Sequence, residues 1–554
     1  MKTELSEIIE RLYGLNVEPT VSRPEPEFGD VTTNVAMQLA GRLQKNPREI
    51  AEAIAAAISE TGKYKDVTVA GPGFINAFLP DEILLSNIQR APEEYFSQKN
   101  IVFEYSCPNA FKELHTGHLY QTIFGDIAAR LMELGGARLQ RTSFGGDVGL
   151  HVAKCLWGMV KELDGQYPEK LADVDADPFM RSRWISQCYV AGAQAYEQDE
   201  NAKAEIDELN KTIYAFHAQD EHTSPLAQIY WATRQWSFDY FDAFYKLINV
   251  DPMRYYAESA TAPTGMEVVK AQLEKGVLKL SDGAVVFEGD ESKHLHTRVF
   301  ITSKGLPTYE TKDIGVIWLE KQDYNFEHRY ILTGNDQKEY MRVVFAAAEA
   351  FEPQLAGTMT HMTNGTVKFA DGQKMSSRLG NVTRATDVID IVREKIEQLV
   401  DEPSLVDSVT LGAIKYAFAR YSLGGDIAFN IEETVSLTGN SGPYLQYAHA
   451  RARRIIEKFD GEISLPTTVL PEDRALVRKL GEYSEVVSVA IKQLQPHLIC
   501  NYLFELAQEF NRYYETNQVI GNELEAHRVS LVKLYAEKLK DGLSILGIDA
   551  PNAM

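Results

Sequence analysis

The residues from 101 to 144 constrain the fold more than any other part of the sequence. A short extended run at 101–106 precedes a polar loop and then a stretch whose apolar residues recur every three or four positions, as in an amphipathic helix. Gly135 and Gly136 end that stretch, and a second extended run occupies 139–144. Strands joined through a helix lie parallel, with a right-handed crossover. The sequence therefore predicts an α/β protein built on a parallel sheet.

The chain of 554 residues is long enough for three or four domains, each with a buried core. The strand–helix pattern is interrupted by a helical, aromatic-rich segment and resumes near Ala284. The last stretch is helical throughout, in four amphipathic runs. The predicted domains are a small N-terminal α/β domain at 1–95, a catalytic domain at 96–380 with a helical insertion at about 161–258, a junction at 381–434, and an all-α C-terminal bundle at 435–554.

The charge of the chain is unevenly distributed. The sequence has 56 Lys and Arg against 79 Asp and Glu, a net charge of −23, which as an average argues against general nucleic-acid binding. From residue 448 to the end, however, the count is 13 basic against 15 acidic residues. Arg451, Arg453 and Arg454 cluster there on one predicted helix. The acidic average therefore does not exclude a nucleic-acid surface in the C-terminal bundle.

The cysteines and the apolar runs bear on the compartment. The four cysteines lie far apart and form no C-x-x-C pair, which indicates a reducing compartment and no cysteine zinc site. The start of the chain lacks a basic segment followed by an apolar core, so we expect no secretory signal. No apolar run approaches the roughly 18–20 residues of a membrane span. We expect a soluble, cytoplasmic protein.

The sharpest motif is His115-Thr116-Gly117-His118, placed between a predicted strand and the helix that follows it. Two imidazoles at a helix N-terminus, beside unpaired backbone N–H groups and the positive end of the helix dipole, suit the binding of phosphates. Gly117 leaves space for a flat ring to approach the backbone. Taken alone, the motif could equally be two incidental loop histidines.

A second motif, Lys374-Met375-Ser376-Ser377-Arg378, lies in a polar loop flanked by glycines. A loop with one lysine and small hydroxyl residues can clamp a polyphosphate while charge develops. By itself this segment is also compatible with an ordinary solvated lysine loop. The two motifs in this order are more informative than either one.

Together the motifs resemble the H-I-G-H and K-M-S-K-S signatures of the class I aminoacyl-tRNA synthetases. Within that class the chain is similar to the arginyl-tRNA synthetase family along nearly its whole length. The blocks that carry the resemblance lie at 28–36, 46–51, 71–76, 104–109, 308–313, 334–337 and 443–451. The resemblance implies a Rossmann-type catalytic domain, an N-terminal domain that contacts the tRNA D-loop, a junction with the K-M-S-K-S loop that contacts the tRNA stem, and an anticodon-binding C-terminal bundle.

The resemblance also assigns the residues of the reaction. The expected catalytic residues are Lys112, His115, His118 and Lys374, and the expected ATP-binding residues are these four with Gly117, Met375, Ser376 and Ser377. Ser377 stands where the signature has its second lysine, and Lys112, just before the first histidine, supplies a cation instead. Further departures from the family pattern, which leave the packing around the nucleotide open, are Tyr120, Val148, Leu150 and His151.

The side chain of arginine explains which residue types its pocket needs. A guanidinium is planar, permanently charged and carries five N–H donors, so the pocket requires carboxylates and further acceptors. The residues expected to bind arginine are Glu104, Asn109, Tyr309, Asp313 and Gln337. Asp313 or Tyr309, taken alone, could alternatively be an ordinary residue at the end of a strand. A pocket of matched polar groups rejects analogues by about 10⁴–10⁵, so no editing domain is required.

The bases of a tRNA loop are recognised by stacking on aromatic rings and by hydrogen bonds to their exposed edges. The residues expected to contact tRNA are Phe74 and Asn76 at the D-loop, and Tyr447, Arg451, Tyr514 and Met554 in the C-terminal bundle. Tyr447 and Tyr514 could alternatively be core aromatics of a helical bundle. The resemblance implies that tRNA must bind before arginine is activated.

These features predict an arginine–tRNA ligase that uses ATP with Mg²⁺, acts as a monomer and forms arginyl-adenylate before transferring arginine to the terminal 2′-OH of tRNA(Arg). No structural zinc or other metal site is expected. His294 and His296 form an H-x-H pair without a third ligand in view and are interpreted as surface histidines. Two alternatives remain open: a tRNA-binding relative that has lost its activity, and a small-molecule nucleotidylyltransferase.

Overall fold

The computed structural model describes residues 1–369 and 384–554. The N-terminal domain is a four-stranded antiparallel sheet covered by three helices. Its strands, in sheet order, are Val21–Ser22, Val31–Thr33, Phe74–Phe78 and Asp66–Ala70, and its helices are Lys2–Tyr13, Val35–Leu43 and Pro47–Ser59. The third helix begins where the sequence signals it, because Asn46 accepts a hydrogen bond from the Arg48 backbone N–H and Pro47 occupies the first turn.

The catalytic domain contains the predicted parallel sheet, now with five strands. In sheet order these are Met359–Asn364, His328–Gly334, Asn100–Glu104, Arg138–Gly145 and Arg254–Ala257, all parallel. The helices of this part of the chain are Asp81–Gln89, Thr116–Leu134, Glu258–Glu274, Tyr309–Tyr324 and Lys338–Phe351. The expectation of a Rossmann-type α/β fold is confirmed.

Two smaller sheets flank the parallel one. Strands Lys279–Ser281, Ala284–Phe287 and Arg298–Ile301 form an antiparallel sheet, and Val367–Phe369 pairs in parallel with Ile427–Phe429.

The insertion is a helical unit with its own core. Its helices are Leu150–Glu162, Pro178–Gln198, Glu200–Gln219 and Pro225–Leu247. Most of their buried apolar residues form one cluster, but Tyr240, Phe241, Phe244 and Tyr245 of helix Pro225–Leu247 pack into the core that the catalytic domain shares with the C-terminal helices. Strand Arg254–Ala257 pairs in the main sheet, so the insertion, predicted to run to about 258, ends before that strand. The limits of the four predicted domains stay predictions.

The C-terminal part is helical, as expected. The helices after the undescribed segment are Ala385–Ile396, Val406–Ala419, Ile431–Thr434, Gly442–Ile456, Arg474–Gly481, Tyr483–Gln493, His497–Thr516 and Glu525–Ile545. One continuous apolar cluster joins them to helix Thr116–Leu134 of the catalytic domain. Within the described ranges, every helix is too short or too polar to cross a membrane.

A buried carboxylate connects the two ends of the chain. Asp30 of the N-terminal domain pairs with the guanidinium of Arg474, and its Oδ1 lies 3.3 Å from Nε of Arg478. Its Oδ2 also accepts a hydrogen bond from the Leu79 backbone N–H at 2.7 Å. Asp30 is buried, so both arginines of helix Arg474–Gly481 depend on it for charge compensation. This cluster holds the N-terminal domain against the C-terminal helices.

We expect Asp30→Ala to weaken the docking of the N-terminal domain by about 3 kcal/mol, because it leaves two partly buried guanidinium groups without their carboxylate. Hydrogen–deuterium exchange should become faster in strand Phe74–Phe78, and an early thermal transition should appear. Asp66→Ala, which removes an exposed carboxylate from the same domain, is the matched control. Equal exchange in the two variants would contradict this role of Asp30.

Candidate active site

The strand order places a crevice in the middle of the catalytic sheet. From the central strand Asn100–Glu104, the chain first builds the sheet on one side and later returns to add His328–Gly334 on the other. Ligands of such sheets bind beyond the carboxyl ends of the strands, at the point where the order reverses. Glu104 ends the central strand, and the His115–His118 motif follows it at the start of helix Thr116–Leu134. The first sequence motif therefore lies at this crevice.

The two histidines of the motif cap the helix. The backbone N–H of Gly117 donates to Nδ1 of His115 at 3.0 Å, and the backbone N–H of His115 donates to Nδ1 of His118 at 3.2 Å. The ring centroids are 3.9 Å apart. Because each Nδ1 accepts a hydrogen bond, the proton of each neutral ring is on Nε2. The motif thus presents two Nε2–H donors beside the N-terminus of a helix.

The local electrostatics keep both rings neutral. Loss of hydration lowers the pKa of His115, and the nearby Lys112 ammonium lowers it further. Burial lowers the pKa of His118 well below its usual value, with further contributions from His115 and Lys112. Both imidazoles are therefore neutral hydrogen-bond donors at neutral pH, and the positive charge of the site comes from Lys112 and the helix dipole.

Gly117 is required for a reason that differs from the one expected. A Cβ at this position would lie 2.8 Å from Cε1 and 2.9 Å from Nδ1 of His115. The space left by the missing side chain is therefore occupied by the imidazole of His115, which could not cap the helix with alanine at 117.

The loop before the motif has an unusual backbone. Ser106, Cys107 and Phe111 have positive φ angles of 71°, 47° and 64°. L-residues adopt this conformation at a cost unless the surroundings hold them in it. The insertion supplies such support, since Ser237 accepts a hydrogen bond from the Phe111 N–H at 3.1 Å and Tyr240 accepts one from the Leu114 N–H at 3.2 Å.

Lys112 lies in a large cleft between this loop and the insertion. Its Nζ is 4.9 Å from the centroid of the Tyr189 ring, and burial lowers its pKa. The cleft has a volume of about 1080 Å³ and is also lined by Arg183 and Arg384. Glu113 and Asp387 also line it, and Arg384 lies 3.3 Å from a carboxylate oxygen of Glu113 and 3.9 Å from one of Asp387. The walls thus carry three cationic side chains against two carboxylates. The second motif, with Lys374, Met375, Ser376 and Ser377, lies outside the described residues.

Three carboxylates surround one arginine on the sheet face next to helix Tyr309–Tyr324. The buried guanidinium of Arg329 pairs with Glu104, and its Nε donates to Glu320 Oε2 at 2.6 Å. Asp313 is nearby and accepts a hydrogen bond from the Tyr340 hydroxyl. Burial raises the pKa of Glu104, although Arg329 opposes that effect, and burial raises the pKa of Asp313 to about 6.

Another buried carboxylate, that of Glu258, lies beside Asn109. The backbone N–H of Gly146 donates to Asn109 Oδ1 at 2.7 Å, and a Cβ on Gly146 would be 3.0 Å from both Asn109 Oδ1 and Glu258 Oε2. Glu258 is buried and pairs with Lys312, whose Nζ is 5.1 Å from the centroid of the Tyr309 ring. Asn109, Glu258 and Tyr309 therefore belong to one polar cluster.

The remaining residues expected to bind arginine have accessible side chains. Tyr309 is 71% exposed, and Gln337 is exposed with its Nε2 donating to Asp336 Oδ2 at 2.9 Å. The structure thus gives the five expected residues two environments: buried for Glu104 and Asp313, and open for the other three. Their contacts with arginine stay predictions.

Sequence analysis did not identify Glu258, Glu320, Arg329 and Tyr340. Each looks like an ordinary residue of a helix or strand, and the signal that distinguishes the three charged ones is burial of charge, which a single sequence does not show. Of the residues that depart from the family pattern, Tyr120 is buried against Phe418, with ring centroids 5.4 Å apart. Val148 is buried in the core of the insertion.

The residues expected to contact tRNA fall into two groups. Arg451 lies over Tyr514, with its guanidinium carbon 4.5 Å from the ring centroid, and Tyr447, one turn earlier on the same helix, is 42% exposed. The backbone carbonyl of Met554 accepts a hydrogen bond from Arg454 at 2.7 Å.

At the other end of the chain, Phe74 is exposed and Asn76 is buried in the N-terminal sheet. His294 and His296 are both exposed, and no cluster of three possible metal ligands occurs in the described ranges.

Comparison with known proteins identifies three families along the chain. Residues 1–79 match the arginyl tRNA synthetase N terminal domain, residues 81–420 match the catalytic domain of tRNA synthetases class I (R), and residues 445–554 match the DALR anticodon binding domain. The catalytic-domain match alone covers more than half of the chain.

Individual relatives agree with this result over most of their lengths. The arginine–tRNA ligase of Porphyromonas gingivalis W83 is 28% identical, over 99% of this chain and 98% of the relative. That of Flavobacterium psychrophilum is 28% identical, over 89% of this chain and 85% of the relative.

Solved structures show the same fold. The arginyl-tRNA synthetase of Thermus thermophilus superposes with a TM-score of 0.80 at 24% identity, covering 100% of this chain and 99% of that one. That of Plasmodium falciparum gives 0.77 at 19% identity, covering 100% and 98%. With the two capping histidines at the crevice of a parallel sheet and three matched families in order, this chain belongs to the arginyl-tRNA synthetase family of class I.

Proposed function

We propose that this chain attaches L-arginine to tRNA(Arg) in two steps. Arginine first attacks the α-phosphate of ATP to give arginyl-adenylate and pyrophosphate, and the terminal 2′-OH of tRNA then attacks the adenylate carbonyl. The observation that best supports this proposal is the pair of Nε2–H donors that His115 and His118 present at the start of helix Thr116–Leu134. Such donors stabilise charge that develops on a transferring phosphoryl group.

The protein needs no nucleophile of its own for the activation step. The arginine carboxylate supplies the attacking oxygen, so the side chains act by alignment and by charge stabilisation. We assign the α- and β-phosphates to the two histidines and the leaving pyrophosphate to Lys112 and Lys374. Met375, Ser376, Ser377 and Gly117 complete the proposed ATP site. Mg²⁺ enters with ATP and supplies further neutralisation of the phosphate charge.

The acidic cluster suits a cationic substrate. Around Arg329, the three carboxylates of Glu104, Asp313 and Glu320 exceed the single guanidinium, which leaves negative charge in a buried place. A bound arginine side chain would compensate that charge, and a neutral analogue would not. We therefore propose that Glu104 and Asp313 attract the substrate, with Tyr309, Asn109 and Gln337 as further contacts.

The anticodon loop is assigned to the C-terminal bundle. The guanidinium carbon of Arg451 lies 4.5 Å from the centroid of the Tyr514 ring, so the pair offers both a cation and an aromatic surface. Tyr447 exposes a second ring on the same helix as Arg451. Unpaired bases stack on such groups. Met554 lies beside this helix, and Phe74 and Asn76 are the proposed D-loop contacts. We propose a monomer that acts in the cytoplasm, consistent with four free cysteines.

The neutral histidines lead to a first test. We expect His115→Ala and His118→Ala each to lower arginine-dependent pyrophosphate exchange, measured with tRNA present, by about 10²–10³-fold. KM for arginine should change little, because the rings face the phosphates. Since the pKa values of both histidines are lowered, the wild-type rate should show no inflection from them between pH 6 and 8.

His296→Ala, at an exposed histidine outside the site, is the matched control. A loss of activity below pH 7 that disappears in His118→Ala would contradict the neutral-donor assignment.

Asp313 gives a second test through pH. Burial raises the pKa of this carboxyl to about 6, so it is protonated below that value and ionised above it. KM for arginine should therefore rise as the pH falls below 6, by up to about tenfold per pH unit. In Asp313→Asn the KM should be high at every pH. A flat wild-type profile from pH 5 to 8, or a profile unchanged by Asp313→Asn, would refute the assignment; Glu339→Gln, at an exposed helix position, is the control.

The tRNA surface gives a third test. Arg451→Ala should raise KM for tRNA by about 10-fold or more, because it removes a cation and half of a stacking surface, and should leave KM for arginine unchanged. Arg512→Ala is the matched control, since Arg512 is exposed on the same helix as Tyr514 but two residues away, and so on another face. An effect confined to KM for arginine would show that Arg451 does not bind tRNA.

A further inference from the structure

We infer that Arg329 is a positioning residue for arginine recognition, which orients the Glu104 carboxylate for the cationic group of the substrate and favours its ionised form. The inference rests on the proposed function, because the orientation of Glu104 matters only if this pocket binds arginine. Arg329 itself need not touch the substrate. It acts through Glu104.

The contacts of Arg329 fix it rigidly. Its side chain is fully buried, Nη2 donates to Glu104 Oε2, and Nε donates to Glu320 Oε2 at 2.6 Å. Its backbone N–H donates to the Thr358 carbonyl at 2.8 Å, where the pairing of strands His328–Gly334 and Met359–Asn364 begins. A guanidinium is a planar fork with fixed donor directions, so it sets the position of both carboxylates at once. A side chain without this fork could not hold the two together.

Glu104 and Glu320 differ in the hydrogen bonds made by their second carboxylate oxygen, the one that does not pair with Arg329. The second oxygen of Glu320 accepts a hydrogen bond from the Thr142 hydroxyl at 2.6 Å, so both oxygens of that carboxylate are occupied. The second oxygen of Glu104 has only the weak Cys107 Sγ donor, at 3.6 Å. Glu104 therefore retains an oxygen that can accept a strong hydrogen bond, and it lies at the carboxyl end of the central strand, next to the crevice. Glu320 is an anchor for Arg329, and Glu104 is the carboxylate that can face a ligand.

The charges around Glu104 make this support necessary. The groups that face it are Arg329, Glu320, Asp313 and Cys107. Burial and the two neighbouring carboxylates all favour the protonated form of Glu104, and Arg329 is the cation that opposes them. Without Arg329, the pKa of Glu104 would rise further. A protonated Glu104 would attract a guanidinium or an ammonium group far less strongly.

The experiment compares Arg329→Met/Glu320→Gln with the wild type. The double change removes the guanidinium and one buried charge together, so that Glu104 loses a hydrogen-bond partner while Asp313 loses only a nearby charge. Glutamine can still accept the Thr142 hydrogen bond. At pH 7 we expect KM for arginine in tRNA charging to rise by about 10- to 100-fold. KM for ATP and tRNA binding should stay near the wild-type values, which also shows that the variant is folded.

The pH dependence separates a positioning role from a structural one. Burial raises the pKa of Glu104 to about 8 in the wild type, so KM for arginine should fall as the pH rises through that value. In the double variant this fall should be displaced to higher pH, because Arg329 no longer favours the ionised form. Arg329→Lys retains the buried charge but not the fork, so its KM should lie between those of the wild type and the double variant. If the double variant does not fold, KM for arginine in Arg329→Lys is compared with that of the wild type over the same pH range.

Arg342→Met, at an exposed arginine paired with Glu339, is the matched control. The inference is overturned if KM for arginine is unchanged in the variants, if it rises equally at all pH values, or if KM for ATP rises with it. A wild-type protein without arginine-dependent pyrophosphate exchange in the presence of tRNA would instead refute the proposed function, whatever the variants do.

Discussion

The structure depends most on helix Thr116–Leu134, which begins at the capping histidines and is buried along nearly its whole length. Its N-terminus forms part of the crevice, and its apolar side chains belong to the same continuous core as the C-terminal helices. An interior of this kind is close-packed and transmits displacement instead of absorbing it. The position of His115 and His118 is therefore fixed by the packing of two domains and not by the loop alone.

Buried charge is the second constraint, and it is concentrated where the substrate is expected. Isolated buried charges cost several kcal/mol each, so they persist only with partners. Arg329 with Glu104 and Glu320, and Lys312 with Glu258, are such groups. In each of them a glutamate lies at the carboxyl end of a parallel strand: Glu104 ends the central strand, and Glu258 follows strand Arg254–Ala257. The cluster around Arg329 retains an excess of carboxylates. A cationic ligand would balance this excess negative charge. The free-energy cost of burying the carboxylates is therefore linked to the specificity of the pocket for a cation.

The sequence predicted those structural features that follow from the residue pattern of one short segment. The parallel sheet follows from the strand–helix–strand pattern at 101–144, and the capping histidines follow from their place before an amphipathic helix. The reason for Gly117 was not accessible in that way, because the ring that fills its space belongs to a neighbouring residue whose direction is set by the cap. Arg329 was not accessible for a related reason: its partners are 225 and 9 residues away in sequence, and only the fold brings them together.

For the same reason, the sequence predicted the N-terminal and C-terminal domains but not how they pack against the rest of the molecule. Asp30 is part of a block typical of the family, and nothing in its neighbourhood indicates that its partners are Arg474 and Arg478. A comparable contact joins the other end of the molecule: the buried Lys415 ammonium donates to the carbonyls of Asn249 at 3.0 Å and Gly547 at 2.8 Å. Burial lowers the pKa of Lys415 to about 8, and the nearby carboxylate of Asp126 opposes that effect by favouring the charged form. Single buried charges thus connect the catalytic domain, the N-terminal domain and the C-terminal bundle, and the relative placement of the tRNA-binding surfaces depends on a few such groups.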